Sequence, residues 1–174
     1  VEPITSIGLD FSMPELFVSS EGETANYPRY YKQSLEKLAK EQRILSHRQK
    51  GSNQYYQQKI KVAKLHEKIA NQRKDFLHKT SRQITNVYDV VCIEDLNMKD
   101  MSQSFNFGKS VADNGWGMFS TFLAYKLSEQ GKKLVKVDKW YPSSKTCHVC
   151  GTVYQDLQLS ERKWTCSCCN ITHD

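Results

Sequence analysis

Two sets of side chains in this 174-residue chain have the types and spacing for chemistry. The first is Cys147-His148-Val149-Cys150 and Cys166-Ser167-Cys168-Cys169, a C-x2-C…C-x2-C array with a fifteen-residue spacer. Each Cys-x-x-Cys turn presents two thiolates to one ion. Two such knuckles complete a tetrahedral S4 site for Zn2+ through Cys147, Cys150, Cys166 and Cys169. Four protein ligands leave no open position, so this zinc is structural. Cys168 is surplus, His148 and His173 are read as bystanders, and disulfides are disfavoured because nothing marks the chain as secreted. The second set is a pair of acids. Asp10 ends the run Ile7-Gly8-Leu9-Asp10, and Glu94 ends Val90-Val91-Cys92-Ile93-Glu94. If the two strands are neighbours, both carboxylates emerge at one sheet edge, where they repel and titrate upward unless a cation sits between them. Hard oxygen ligands suit Mg2+ or Mn2+, and a two-metal pair clamps the attacking and leaving oxygens of a phosphodiester. The competing reading is two strand-end acids that simply face solvent.

The elements that must position these groups are legible from the pattern. Two short strands, Ile4–Asp10 and Glu15–Ser19, flank a turn at Met13-Pro14, and Glu21-Gly22 makes another turn. Gly8 permits close approach to the first strand. From about Tyr30 to Val87 the apolar residues step by three and four, as in Tyr31, Leu35, Leu38 and then Val62, Leu65, Ile69. Lys50-Gly51-Ser52-Asn53 breaks that run into an antiparallel αα-hairpin. Val90–Ile93 reads as a central strand buried on both faces, with Cys92 a small core residue. A further helix runs from about Ser110 to Gln130, interrupted by Gly115-Trp116-Gly117 and capped by Gly131. Lys133–Trp140 is another strand. Trp116 and Phe119 are core, Trp116 also being placed to line a groove beside Glu94. In the cysteine module, Val153-Tyr154 and Lys163-Trp164-Thr165 are the expected ribbon strands, with Trp164 on the knuckles.

The net charge of +6 is unevenly spread: residues 29–82 carry a local balance of +11 and the rest of the chain −5. A helical segment this basic fits a polyanion, most often nucleic acid. Lys37, Lys40, Arg43, Arg48, Lys50, Lys59, Lys61, Lys64 and Lys68 are the expected phosphate contacts, with Lys145 beside the first knuckle as a further one. Tyr55-Tyr56 near the hairpin tip is read as local packing. No apolar run approaches a membrane span, and the N-terminus lacks the basic and apolar regions of a secretion signal. Reduced thiols then place the chain in a cytoplasm. It also lacks an initiator Met and reads as a piece of something longer.

Four stretches occur in order: Gly8-Leu9-Asp10; Ile93-Glu94-Asp95-Leu96-Asn97-Met98; Lys109-Ser110-Val111-Ala112-Asp113-Asn114-Gly115-Trp116-Gly117-Met118-Phe119; and Pro142-Ser143-Ser144-Lys145-Thr146-Cys147-His148-Val149-Cys150-Gly151. Together they resemble TnpB, the transposon-encoded nuclease family of bacteria and archaea related to type V CRISPR effectors, over essentially all of this chain but only the C-terminal half of that family. The resemblance implies an α/β fold: an RNase H-like (RuvC) mixed sheet carrying a long basic αα-hairpin, about residues 29–87, and an inserted zinc ribbon. It implies a nuclease domain over residues 1–141 and the ribbon over 142–174. It makes Asp10 and Glu94 the first two metal-binding catalytic acids, with Mg2+ or Mn2+ as cofactor, and it implies guide RNA and a DNA target strand as partners. The family's third acid falls in a His-Asp-Arg-Asp-x-Asn run, whereas this sequence stops at His173-Asp174, so Asp174 is the first Asp of the run and not the ligand. The family's N-terminal half is absent, and Asn170 stands where a glycine is usual, a residue that tolerates the left-handed conformation.

The leading expectation is therefore a metal-dependent, RNA-guided endonuclease domain, possessing two of three acids. The alternative is a non-catalytic module, truncated or nuclease-dead, that binds nucleic acid under a guide. A transposase that joins strands through three acids shares the metal chemistry, but nothing in the resemblance points to strand transfer.

Overall fold

The computed structural model describes residues 4–98, 100, 113–138, 140–158, 161 and 163–173. They fall into two compact units, residues 1–137 and 138–174. The first holds β1 (Ser6–Ser12), β2 (Leu16–Ser19), α1 (Tyr30–Ser46), α2 (Asn53–Val87), β3 (Val90–Glu94), α3 (Trp116–Glu129) and β4 (Lys133–Val137). The strands form one mixed sheet in the order β2-β1-β3-β4, with β1 antiparallel to β2 and parallel to β3, and β3 parallel to β4. No helix among the described residues is long and apolar enough to cross a membrane.

The first strand begins and ends two residues later than the Ile4–Asp10 expected from its pattern. Thr5 is taken out of the ladder: its amide and hydroxyl both donate to Asp89 Oδ2, at 3.1 and 3.0 Å, which pins the entry ends of β1 and β3 together. At the other end the pairing with β2 continues to Ser12↔Leu16, so Asp10 lies inside the strand and not at its terminus.

One face of the sheet is covered. Ile7 and Leu9 of β1, Val91 and Ile93 of β3, and Leu16 and Phe17 of β2 pack with Leu77 and Ile84 of α2 and with Trp116, Phe119, Phe122, Leu123 and Leu127 of α3. The expected two-sided burial of β3 does not hold. Val91 and Ile93 are buried, while Val90, Cys92 and Glu94, on the other face, are only half-buried. Cys92 is accordingly no core residue. The reason is layering: α2 and α3 lie on the same side, and the described residues of this unit supply no second helical layer.

Helix α2 has 35 residues, about 50 Å at the α-helical rise. Ser52 caps it by accepting the Tyr55 amide at 3.1 Å. Its second half belongs to the core just described. Its first half packs on α1, where buried Leu38, Val62 and Ile69 form the seam and Gln58 donates to Glu41 Oε2 and the Glu41 carbonyl. Tyr56 is exposed and meets only the edge of Tyr55 at 5.7 Å.

Asp113 and Asn114 are helical, Gly115 interrupts the helix as expected, and α3 resumes at Trp116; the expected start at Ser110 lies outside the described residues, as do all of residues 101–112. Gly115, with φ +76°, is the break between helical Asn114 and α3, and an added Cβ would sit 2.9 Å from Leu77 Cδ1 of α2. Left-handed strain and overpacking then act together. Gly115→Ala is expected to cost about 2–4 kcal/mol, read as a lowered midpoint in chemical denaturation. Gly131, φ +68°, closes α3 as expected, its amide bonding the Ser128 carbonyl. Strand β4 ends at Val137, three residues before Trp140, because Asp138 begins a turn that bonds the amides of Trp140 and Tyr141.

The second unit is a ribbon of two small hairpins. Trp164–Thr165 (β5) pairs with Thr172–His173 (β6), and Thr146 bridges Val153. Val153 is thus paired within the first knuckle and not with the Lys163–Thr165 segment.

Candidate functional site

The parallel ladder between β1 and β3 runs Ser6↔Val90, Ile7↔Val91, Gly8↔Cys92, Leu9↔Ile93. The next step sets Asp10 beside Glu94. Side chains alternate along a strand, so with Leu9 and Ile93 turned into the core both carboxylates rise from the uncovered face. Neighbouring strands are separated by only about 4.8 Å. Desolvation raises the Asp10 pKa even though the side chain reaches the surface, the Phe11 amide opposing it in part. Glu94 is raised by desolvation first and by the charge of Asp10 second. No ion pair among the described residues involves either acid; the nearby Lys136 is spent on Asp95 at 3.0 Å. Two adjacent, uncompensated carboxylates are a donor set that suits a hard divalent cation. Gly8 lies on the same face, and a Cβ there would meet Ser20 Cβ at 3.7 Å, an ordinary contact. Packing among the described residues does not demand a glycine at that position. Beside Glu94, a cavity of about 290 Å3 is lined by Ile93, Leu96, Trp116, Ser120 and Lys136. Trp116 thus serves both core and groove, being 2% exposed.

In the second unit the Sγ atoms of Cys147, Cys150, Cys166 and Cys169 all lie within 4.8 Å of one another, with Cys147–Cys169 and Cys150–Cys166 at 3.5 Å. A tetrahedral ion with Zn–S bonds near 2.3 Å requires sulfurs roughly 3.8 Å apart, so the cage fits zinc. The two knuckles repeat the same hydrogen bonds. Cys147 N donates to Thr152 O and Gly151 N to Cys147 O; Cys166 N donates to Ile171 O and Asn170 N to Cys166 O, all at 2.8–2.9 Å. Gly151 and Asn170 occupy the same left-handed place, at φ +73° and +56°. The asparagine therefore does the work of the glycine. The Thr152 hydroxyl and amide hold the Cys150 thiol down to about 6. At Cys169 the Ile171 amide pulls downward, but desolvation and the surrounding thiols outweigh it and push the group up to about 12. Trp164 is buried against Cys147 and Cys166. Cys168 is exposed and outside the cage.

His173 is outside the ligand set but not idle: its Nε2 lies 3.2 Å from Cys147 Sγ, and its ring meets His148 edge-on and lies tilted against Trp164. Sequence spacing did not show this, because the contact depends on the β5–β6 pairing. Lys145, expected as a phosphate contact, donates its Nζ to the Gln155 carbonyl at 3.0 Å within the ribbon. Asp174 lies outside the described residues.

The nine hairpin cations, Lys37, Lys40, Arg43, Arg48, Lys50, Lys59, Lys61, Lys64 and Lys68, are all exposed, and none takes part in an ion pair among the described residues. Only Arg48 has a side-chain partner among the described contacts, Gln54 at 2.6 Å. The exposed positions of the hairpin are therefore strongly positive on balance.

Two family profiles match the chain: "Probable transposase" over residues 1–104 and "Cas12f1-like, TNB domain" over residues 116–174. A Streptomyces pristinaespiralis protein named "Putative RNA-guided DNA endonuclease" is 36% identical over 169 residues, covering 97% of this chain and 42% of its own length. A similarly named protein of Escherichia coli (strain K12) is 32% identical over 182 residues, with 95% and 45% covered. A TnpB-like protein of Acanthamoeba polyphaga mimivirus is 28% identical over 119 residues, 65% of this chain. The chain thus spans less than half the length of these relatives. A cryo-EM structure of a Cas12f1-sgRNA-target DNA complex shares the fold at TM-score 0.57 and 18% identity, over 97% of this chain and 46% of that one. Between them the two profiles take in both the carboxylate-bearing strands and the four-cysteine ribbon, and the chain belongs to the probable-transposase family as a TnpB-like protein.

Proposed function

We propose that residues 1–141 are an RNase H-like, RuvC-type nuclease domain, that residues 142–174 are its zinc ribbon, and that the complete protein is an RNA-guided DNA endonuclease. The observation that carries this reading is the placing of Asp10 and Glu94 side by side on one open sheet face. The relatives' names and the neighbouring structure's guide RNA and target DNA support the choice of partners. Asp10 and Glu94 are the catalytic residues and would hold Mg2+ or Mn2+. Two divalent ions there would supply activation of a water and stabilisation of the leaving oxygen of a phosphodiester. The chain's own contribution is a pair of fixed negative charges on adjacent strands that have no ion-pair partner among the described residues. The four cysteines would hold Zn2+ as a structural ion.

The test is Mn2+-dependent cleavage of target DNA by the complete, guide-loaded protein. Cleavage that survives both Asp10→Ala and Glu94→Ala would defeat the assignment. Guide-dependent binding with no cleavage in the parent itself would favour the non-catalytic alternative.

The hairpin cations are assigned to the phosphate backbone, which gives affinity without reading sequence. Replacing Lys61, Lys64 and Lys68 with Gln is expected to flatten the dependence of log affinity on log salt by about 2–3 in slope, roughly 0.7–0.9 per lost phosphate contact. An unchanged slope in a binding titration across salt concentrations would remove these lysines from the interface.

A further inference from the structure

The helix break Asp113-Asn114-Gly115-Trp116 ties the start of α3 to β1, α1 and α2. Asp113 Oδ1 accepts the Tyr31 amide at 3.1 Å, capping α1 from outside that helix, and its carbonyl accepts the Tyr27 hydroxyl. Gly115 sits against Leu77 and Arg73 of α2. Asn114, 1% exposed, donates Nδ2 to the carbonyls of Ser12 and Met13 at 2.9 and 3.1 Å, and Trp116 stands edge-on to Phe11 at 5.5 Å.

The last two contacts fall where the sheet stops supporting β1. The ladder with β3 ends at Leu9↔Ile93, so residues 10–12 are paired on one side only, with β2. Beyond Leu9 the buried amide of Asn114 holds the Ser12 and Met13 carbonyls, and the ring of Trp116 packs edge-on against Phe11 on the core face, so each of the two residues that follow Asp10 has a contact from this segment. Glu94 is fixed separately, by its pairing with Val137 and by the bond from Asp95 N to Val137 O at 2.9 Å. The two acids are therefore held by different supports, and their separation depends on both.

We propose that Asn114 is a positioning residue for the Asp10 carboxylate, acting through the Ser12 and Met13 carbonyls, with Trp116 and Phe11 as the second half of the same support. This rests on the reading of Asp10 and Glu94 as a divalent-metal site. Losing the support widens or loosens the pair and weakens its grip on the ion without removing a ligand. Outer supports of metal ligands are typically worth 10–100-fold in metal affinity or activity.

The test uses the complete, guide-loaded protein with Asn114→Asp, which keeps the size of the side chain and removes both donated hydrogen bonds. Mn2+ binding is read by EPR before target DNA is added, and the Mn2+ concentration for half-maximal cleavage is read afterwards, alongside target-DNA affinity and zinc content. The expected result is about a tenfold rise in both Mn2+ values with DNA affinity and zinc content unchanged. Unchanged Mn2+ values, even with a lower melting temperature, would mean that Asn114 only packs, and would overturn the proposal. If Asn114→Asp does not fold, Phe11→Leu is read in the same way: a shift in the same direction supports the proposal and none overturns it. Parent Mn2+ binding that persists after both Asp10→Ala and Glu94→Ala would overturn the metal-site reading itself, and that failure is separate from an Asn114 variant that binds Mn2+ like the parent.

Discussion

Asp10→Asn in the complete, guide-loaded protein is expected to lower DNA cleavage on the order of a thousandfold while leaving the metal-free fold as stable as the parent or slightly more so. The loss follows from removing one of the two charges proposed to hold the metal, an effect of several kcal/mol on the reaction barrier. The stability change has the opposite sign because of how the pair titrates. Asp10 and Glu94 both have folded-state pKa values raised above their ordinary ones. The folded state therefore binds their protons more tightly than the unfolded state. Stability on their account is full below the ordinary carboxylate values and falls as pH rises through the raised ones. The charge of Asp10 also pushes Glu94 up, and an amide at position 10 removes that repulsion. Asp10 reaches solvent, so screening holds the gain to about 1 kcal/mol or less, or at most about 2–4 °C in melting temperature. Calorimetry at pH 7 in EDTA checks the sign. Added Mn2+ is expected to raise the melting temperature of the parent more than that of Asp10→Asn. A variant clearly less stable than the parent in EDTA would show that Asp10 has an unrecognised favourable partner and does not belong to a repelling pair.

The carboxylate pair was legible because strand patterns are short-range and chemistry at strand ends is conspicuous. Ile-Gly-Leu-Asp and Val-Val-Cys-Ile-Glu declare two apolar strands with acids at their limits. What could not be read there is which face each acid shares. That depends on the register Leu9↔Ile93, set between segments 84 residues apart and fixed at the far end by Thr5 and Asp89. The error over Cys92 has the same origin. An apolar run of four looks the same whether one face or two is covered, and only the common side taken by α2 and α3 decides. The helical hairpin was read correctly because three- and four-residue steps are local, and Ser52 marks the restart with a side-chain cap. The role of Asp113 and Asn114 was invisible to periodicity. Their partners, Tyr31 and Ser12, are 82 and 102 residues away, so polar residues that look like loop chemistry are in fact buried structural bonds.

Removing zinc from the ribbon is expected to abolish the fold of residues 138–174 outright. Among the described residues of that unit the buried hydrophobic set is Cys147, Trp164 and Cys166, with Leu157 and Cys169 partly covered, and two of the three buried members belong to the proposed ligand set. Its regular pairing is two residues long on each side of one hairpin and a single bridge in the other. So little burial cannot order a segment of this length, since fixing each residue costs about 1–2 kcal/mol. On the proposed zinc-site reading the closing contribution comes from the ion, whose binding to such cages is worth about 10–16 kcal/mol in apparent terms. Hydrogen exchange on the complete protein gives the measurement. Chelation should strip protection from the knuckle amides of Cys147, Gly151, Cys166 and Asn170, while the β1–β3 amides keep theirs. Cys147→Ser should reproduce the effect and lose bound zinc, whereas Cys168→Ser, which alters an exposed thiol outside the cage, should keep both zinc and protection. Knuckle amides that stay protected in a chelated sample proven free of metal would mean that hydrogen bonds and Trp164 suffice, and the ion would then be an accessory to the ribbon instead of the reason it folds.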